Sequence, residues 1–402
     1  MESEDGGLVR TVEIPGRGRG VVSCKPLRAG QIVLRDSPIL LYSASPLTTQ
    51  QHSSYNYCNN CFRNLQQQQQ QITLLSCPNC SNHRFCGSAC LSAATCSSHS
   101  PWACQSLSRL RDFPSLHNQP LERHLQLRFL VAAYNLAFFN PSHFQSLLSL
   151  QPHSNRPDNV DEETQFLHSV ISTLCPPSSN TSFFDLQLTS TLLAKDKLNS
   201  FALMEPFSVD GQRSVRAYGV YPNASLFNHD CLPNACRFDY VDSTVDASNT
   251  DIIVRMIHDV PQGREICLSY FPVNWDYPTR QKRLLEDYGF YCQCDRCKVE
   301  ANWSDNDDDK DDIVVDENEV MDDDEDEEQV DDDVMEATEE DVDSNFPHAY
   351  FFVRYMCDRE NCGGTQAPFP PSDPRPSSLL ECNVCGNIKK DEIVDAAVGG
   401  AS

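Results

Sequence analysis

The chain has 402 residues, enough for two or three domains, and 40% of them are hydrophobic, enough to build a core. Its formal net charge of −27 is local: residues 305–343 hold 24 acidic residues and one lysine, which leaves −4 for the other 363 residues. These values exclude a chain that is disordered throughout. The sequence has no long apolar run and its N-terminus has no apolar signal stretch, so we expect a soluble, non-secreted protein of the nucleus or cytoplasm.

Twenty cysteines are concentrated in closely spaced pairs. In a short secreted chain such pairs would predict a disulfide scaffold. Without a signal sequence, C-x-C and C-x2-C pairs in a reducing compartment predict zinc sites instead.

Composition divides the chain into seven segments. Helical spacing of apolar residues predicts helices within Leu121–Phe139 and His143–Leu150. A glutamine run at 66–71 predicts a loop extension. In chain order the segments are strand-like residues 8–45, a Cys/His-rich block at 58–104, a helical region at 105–198, strand-like residues 199–272, a cysteine-bearing segment at 273–300, an acidic linker at 305–343 that we expect to be disordered, and a last cysteine-bearing segment at 350–390.

The Cys/His-rich block contains eight candidate ligands, which suffice for two four-coordinate zinc sites. A pair of redox or disulfide motifs is the alternative interpretation, and Cys96 is a possible competing ligand. The block is too short to have its own core, so metal binding would supply its folding free energy. The candidate ligands are Cys58, Cys61, Cys77, Cys80, Cys86, Cys90, His99 and Cys104.

Two further clusters lie toward the C-terminus. Cys292, Cys294 and Cys297 need a fourth ligand, for which Cys231 is the obvious donor if the two segments meet. The other cluster is complete by itself and resembles a zinc ribbon; its ligands are Cys357, Cys362, Cys382 and Cys385. Sixteen ligands predict about four zinc ions per chain. Five cysteines are left as free thiols: Cys24, Cys96, Cys175, Cys236 and Cys267.

Five short motifs follow one another along the chain: RGRG at 17–20, NSF at 199–201, NHDCLPN at 228–234, GREICLSY at 263–270 and YCQCDRC at 291–297. They occur in the order found in SET-domain methyltransferases, and the Cys/His-rich block between the first two resembles a MYND finger. The chain therefore resembles the SET-and-MYND family and looks like a plant-type member of it.

The resemblance implies an α+β fold. Its β-rich SET core would contain a pseudoknot near residues 228–234, with an inserted MYND finger, a helical insert, a post-SET zinc site and a C-terminal zinc-ribbon-like segment. It also implies interleaved ligation in the finger. Cys58, Cys61, Cys86 and Cys90 would bind one zinc ion, and Cys77, Cys80, His99 and Cys104 the other.

The same resemblance implies an S-adenosylmethionine-dependent protein-lysine methyltransferase acting on histone or other proteins. Tyr270 would be catalytic, and Phe201, Tyr270 and Tyr288 would line the channel for the target lysine. Cys231 would complete the post-SET zinc site. The residues implied to bind the cofactor are Gly18, Arg19, Asn199, Ser225, Asn228, His229, Tyr270 and Phe290.

The sequence departs from the family in three ways. Asp230 replaces the usual serine between His229 and Cys231, and Arg19 stands where small or amide residues are common. The large helical C-terminal domain of many relatives is replaced by the acidic segment and the ribbon. The competing interpretation is a protein-interaction scaffold or corepressor whose finger recruits proline-rich peptides. The low number of basic residues in the finger argues against direct nucleic-acid binding, and we expect a monomer.

We predict that deleting residues 305–343 leaves methyl transfer to a basic peptide unchanged at 0.01 M and at 0.1 M salt, because a solvated linker makes no specific contact. Initial rates at the two salt concentrations check this. A loss confined to low salt, where the Debye length is about 30 Å, would show electrostatic steering instead. A gain in activity on deletion would show autoinhibition.

Overall fold

The computed structural model describes most of the chain. The acidic segment 305–343, predicted to be a disordered linker, lies outside the described residues. The glutamine run at 66–71, predicted to be a loop extension, also lies outside them except for Gln66. The described ranges are 7–47, 57–66, 74–152, 161–176, 184–207, 214–242, 249–302, 348–371 and 377–391.

Helices and strands alternate irregularly along the described residues, which confirms the predicted α+β class. The helices are α1 (Ser88–Thr95), α2 (Pro101–Arg111), α3 (Leu121–Phe139), α4 (Pro141–Ser149), α5 (Glu162–Leu174), α6 (Leu186–Asn199), α7 (Tyr277–Tyr288), α8 (Asp295–Glu300) and α9 (Ala349–Tyr355). The strands are β1 (Val9–Ile14), β2 (Gly18–Ser23), β3 (Ile32–Asp36), β4 (Leu40–Ser43), β5 (Leu75–Ser76), β6 (Arg84–Phe85), β7 (Ser200–Met204), β8 (Val215–Val220), β9 (Asn228–His229), β10 (Ala235–Phe238), β11 (Ile252–Met256), β12 (Cys267–Leu268), β13 (Gln366–Pro368), β14 (Leu379–Cys382) and β15 (Ile388–Lys390).

The strands are arranged in several sheets of two or three strands each. The hairpin β1–β2 is antiparallel, and two three-stranded sheets have the orders β10-β11-β3 and β4-β8-β7. All five residues of β11 are buried, because both faces of this central strand are covered. Val254 and Met256 contribute to a core shared with Val21 and Leu27 of the N-terminal segment. Ile253 belongs to a different core, shared with the C-terminal segment.

Helices α2 to α6 pack together, and α3 also packs against strand β4. Their shared core is fully apolar at its centre, where Leu127, Phe129, Leu130 and Leu167 have no exposed surface. Side-chain caps fix several helix starts; for example, Asn140 accepts a hydrogen bond from the backbone of His143 and so begins α4. None of the helices in the described ranges combines the length and the apolar character that a membrane crossing requires.

The Cys/His-rich block folds around its own cysteines, which share a buried cluster with Phe85, Leu65 and Ala94. It is joined to the helices, because its last candidate ligand, Cys104, lies within α2. The predicted boundary at residue 104 thus falls inside one helix. Asn135 of α3 strengthens this junction by donating a 2.7 Å hydrogen bond to the carbonyl of Ser97.

The loop at 228–234 lies against the segment that ends at Tyr270. Strand β9 pairs in parallel with β12, so that Asn228 faces Cys267. The amide of Asn234 then holds the loop from both sides: its nitrogen donates to the carbonyl of Glu265 and its oxygen accepts from the backbone of Cys267. This is the close contact predicted for the pseudoknot.

Arg216 joins the finger to the SET-like strands, and we predict that Arg216→Met lowers the free energy of unfolding by about 3 kcal/mol. The buried guanidinium donates to the carbonyls of Phe62, Met204 and Asn249, at 3.1, 3.0 and 2.6 Å. Methionine fills similar space but leaves these oxygens unpaired. Denaturant unfolding measures the loss, with the exposed Arg264→Met as the control. Equal stability of the two variants would contradict this role.

Candidate active site and metal centres

One cavity of about 740 Å³ brings together residues from both ends of the SET-like region. It lies between the β1–β2 turn, residues 150–152, the end of α6, the loop at 225–230 and the segment at 288–294. All eight residues implied to bind the cofactor line it, and so does Tyr288. The eight are Gly18, Arg19, Asn199, Ser225, Asn228, His229, Tyr270 and Phe290.

Glycines shape the N-terminal wall of this cavity. Gly16 and Gly18 have φ angles of 74° and 70°, which side chains rarely adopt, so they permit the turn between β1 and β2. Gly20 permits a close approach: a Cβ atom there would lie 2.8 Å from the side-chain nitrogen of Asn228. The alternating Arg-Gly pattern therefore reflects the geometry of this wall.

Arg17 also lines the cavity, although the sequence analysis did not include it among the binding residues. Its guanidinium donates to Glu265 at 2.7 Å and to the carbonyl of His229 at 2.6 Å. Glu265 in turn accepts a 2.9 Å hydrogen bond from Asn228. The RGRG motif was the available signal for Arg17, and Glu265 lies within the GREICLSY motif at 263–270.

His229 connects the cavity wall to a cysteine cluster. Its side chain is 2% exposed, and burial lowers its pKa to about 3, so the ring is neutral. Nδ1 accepts a hydrogen bond from the backbone N–H of Tyr270 at 3.2 Å. The proton of the neutral ring is therefore on Nε2, which lies 3.3 Å from the sulfur of Cys231. His229 thus orients Tyr270 and Cys231 together.

Tyr270 is enclosed by aromatic rings and has a fixed hydroxyl. Its ring centre lies 4.7 Å from that of Tyr288 and 5.2 Å from that of His229. The hydroxyl donates a 2.9 Å hydrogen bond to the carbonyl of Phe227. Burial raises the pKa of Tyr270 well above its usual value, so the hydroxyl remains protonated.

The structure does not bring Phe201 into this cavity, unlike Tyr270 and Tyr288. The ring of Phe201 meets Tyr221 edge-on at 5.7 Å, and the guanidinium of Arg237 lies 5.4 Å from its centre. Phe201 therefore packs against residues that do not line the cavity.

The sixteen candidate ligands form four groups of four, and in each group the ligand atoms lie within 4.8 Å of one another. Cys231 meets the C-x-C-x2-C segment, and the two groups in the finger interleave as the resemblance implied. The exposed Cys96 belongs to none of the groups. The groups are Cys58, Cys61, Cys86 and Cys90; Cys77, Cys80, His99 and Cys104; Cys231, Cys292, Cys294 and Cys297; and Cys357, Cys362, Cys382 and Cys385.

These groups fit a tetrahedral metal ion. Bonds of about 2.3 Å from zinc to sulfur require sulfur atoms about 3.8 Å apart. The distances are 3.7 Å for Cys61–Cys86, 3.8 Å for Cys77–Cys104, 3.5 Å for Cys231–Cys297 and 3.6 Å for Cys357–Cys385. None of the twenty cysteines, all of which lie in described residues, forms a disulfide. Each group can therefore hold zinc.

A buried arginine accompanies the group that contains Cys231. Arg280 has no exposed surface and donates to the sulfurs of Cys231 and Cys297, at 3.3 and 3.6 Å. It also forms a 2.7 Å ion pair with Glu300. Four thiolates around Zn²⁺ carry a net charge of −2, which a neighbouring guanidinium offsets. The sequence analysis missed Arg280, since only the packing of α7 places it there.

We predict that Cys231→Ser lowers zinc content by about one ion per chain and weakens S-adenosylmethionine binding by roughly tenfold. The substitution removes a ligand and the partner of His229, which lines the cavity. Metal analysis and calorimetry are the measurements, and Cys24→Ser, outside the four groups, is the control. Unchanged metal content in Cys231→Ser would rule out the predicted post-SET site.

Comparison with known proteins supports the same family. The SET domain model matches residues 18–271. Histone-lysine N-methyltransferase ASHR2 of Arabidopsis thaliana is 53% identical over 97% of this chain and 98% of its own length. N-lysine methyltransferase SMYD2 of Bos taurus is 25% identical over 74% of this chain and 61% of its own.

Among solved structures, the SET domain of LSMT bound to MeLysine and AdoHcy is 12% identical, with 73% of this chain and 54% of that chain covered. Its TM-score of 0.36 is too low to support a structural argument. The family model, in contrast, matches more than half of the chain, and the 53% identical relative spans almost all of it. The chain therefore belongs to the SET-domain family, and its resemblance to the SET-and-MYND methyltransferases is confirmed.

Proposed function

We propose that this protein is an S-adenosylmethionine-dependent protein-lysine N-methyltransferase. The observation that carries the proposal is the cavity, in which all eight residues predicted for the cofactor meet, with the buried hydroxyl of Tyr270 among them. The relatives ASHR2 and SMYD2 are named as lysine methyltransferases, which supports the reaction class. Histone and other proteins are both proposed as substrates.

The cavity has the size and chemistry that this cofactor requires. Its volume of about 740 Å³ is within the usual range of small-molecule sites. Arg17 and Arg19 supply positive charge for a carboxylate, and the half-exposed ring of Phe290 supplies an aromatic face for the adenine. When bound, the cofactor would supply an electrophilic methyl group on a sulfonium.

Methyl transfer to an amine is an in-line displacement, so lysine and cofactor approach the methyl carbon from opposite sides. Phe201, predicted for the lysine channel, does not line the cofactor cavity, and this fits a lysine that enters from another direction. We propose that the lysine passes between Phe201 and Tyr288 to reach Tyr270. The aromatic walls would disfavour the charged form of lysine, and only the neutral amine is a nucleophile.

Tyr270 would act by orientation and not by proton transfer. Its pKa is raised by burial, so the hydroxyl is a permanent hydrogen-bond group near neutral pH. The bond to Phe227 and the contact of His229 with its backbone fix its direction. A fixed hydroxyl can hold the amine and the methyl group in line, which is the main catalytic requirement here.

We propose that the four cysteine groups hold four structural zinc ions, two in the finger, one after the SET core and one in the ribbon. We also propose that the segments predicted from the sequence correspond to domains, with α2 shared between the finger and the helical region. A protein with a target lysine is the partner that the reaction requires. We also propose that the finger binds proline-rich peptides and that the protein is a monomer. Its proposed location is the nucleus or the cytoplasm.

We predict that Tyr270→Phe lowers the rate of methyl transfer by roughly 100-fold while the Kd for S-adenosylmethionine changes by no more than a few-fold. Calorimetry measures the Kd. Incubation with tritiated cofactor and a whole-cell protein extract measures transfer and identifies the labelled protein.

The control is Tyr134→Phe, which removes a buried hydroxyl that is hydrogen-bonded to Thr189 in the helical core. It should retain activity. If Tyr270→Phe methylates as fast as the wild type, the placement of the active site is wrong and the scaffold interpretation gains support.

A further inference from the structure

The C-terminal ribbon is packed tightly on the SET core. Ala367 of β13 and Tyr355 of α9 share a buried cluster with Phe238 and Ile253 of the central sheet. Backbones meet at Gly30, where a Cβ atom would lie 2.3 Å from the carbonyl oxygen of Phe369. The ribbon and the central sheet therefore form one continuous core.

A buried ion pair fixes how the two parts meet. Arg255 of β11 is 2% exposed and contacts Glu381 of β14 at 2.8 Å. Glu381 also accepts a 2.8 Å hydrogen bond from the hydroxyl of Tyr240. The guanidinium of Arg255 lies 3.8 Å from the ring centre of Phe238. Misplacing either charge would leave it buried without its partner, so this contact specifies one docking geometry.

A second polar contact leads from the ribbon's cysteine group toward Phe201. Asn383, next to the candidate ligand Cys382, donates a 3.1 Å hydrogen bond to the backbone carbonyl of Arg237. The Arg237 side chain donates to the carbonyl of Ala202 at 3.1 Å and covers the ring of Phe201. Two successive contacts thus connect Asn383 with the proposed lysine channel.

The same arginine also acts on the other proposed channel wall. Burial raises the pKa of Tyr288, and the positive charges of Arg283 and Arg237 oppose that rise. In contrast, none of the described residues of the ribbon, at 348–391, lines the cofactor cavity. The described part of the ribbon therefore contacts the proposed substrate side through Arg237 and does not line the cofactor cavity.

We infer that the ribbon is a positioning element for the substrate side of the active site: Asn383 holds Arg237, and Arg237 holds Phe201. This inference rests on the proposed function, because Phe201 affects turnover only if the lysine passes it. The ribbon would thus shape the lysine channel directly.

The test is Asn383→Asp, an isosteric change. The aspartate keeps an acceptor for the backbone N–H of Thr365, which Asn383 binds at 2.9 Å, but it loses the donor to Arg237. We expect kcat/KM for protein methylation to fall about tenfold, with the Kd for S-adenosylmethionine within twofold and the zinc content unchanged. With limiting extract protein, the initial rate of tritium transfer is proportional to kcat/KM.

The matched control is Asn361→Asp. It introduces the same charge in the same ribbon, next to the candidate ligand Cys362, but on an exposed side chain. It should behave as the wild type. If Asn383→Asp and Asn361→Asp are equally active, or if cofactor Kd rises in parallel with the loss of activity, the inference is wrong.

A double-mutant cycle separates positioning from a general structural effect. Arg237→Met removes the guanidinium over Phe201. If Asn383 acts through Arg237, the loss in the double variant is smaller than the product of the two single losses. Multiplicative losses would overturn the inference. A wild-type protein that labels no protein would overturn the proposed function and this inference together.

Discussion

The two-residue parallel pairing of β9 with β12 brings the loop at 228–234 against the segment that ends at Tyr270. Three parts of the site depend on this contact. It places Asn228 at the cavity wall, the ring of His229 beneath the backbone of Tyr270, and Cys231 among three cysteines from residues 292–297. Because His229 contacts both Tyr270 and Cys231, the proposed catalytic residue and the metal group share one support.

Cysteine groups take the place of apolar cores where the chain is locally polar. The finger has few large buried side chains besides its cysteines, and the segment after Tyr270 is built around the group containing Cys231. Metal binding at such groups supplies folding free energy that a small core cannot. Since Cys104 lies on α2 and Arg280 on α7, two of these groups are also anchored by helices of the surrounding structure. Metal loss would consequently affect the cavity as well as the groups themselves.

The two sides of the proposed site depend on different parts of the chain. The cofactor side is formed by the N-terminal turn, the loop at 225–230 and residues 288–294. The substrate side, at Phe201 and Arg237, is in contact with the ribbon through Asn383. An in-line reaction keeps these sides apart, so a change in the C-terminal segment can alter substrate turnover without altering the cofactor site.

The sequence by itself determined the features that depend on local spacing or on recognisable motifs. Two cysteines with two residues between them can bind one ion in any fold, because their spacing is local. Asn228, His229 and Tyr270 were identified by the motifs that contain them. Helices near Leu121–Phe139 and His143–Leu150 followed from apolar spacing; the structure begins the second at Pro141, where Asn140 caps it.

Only the tertiary structure decided the rest. Arg280 on the sulfur of Cys231, Glu381 on Arg255, and the separation of Phe201 from the cofactor cavity join residues far apart in the chain. Such contacts depend on how distant segments pack, and no local pattern encodes them.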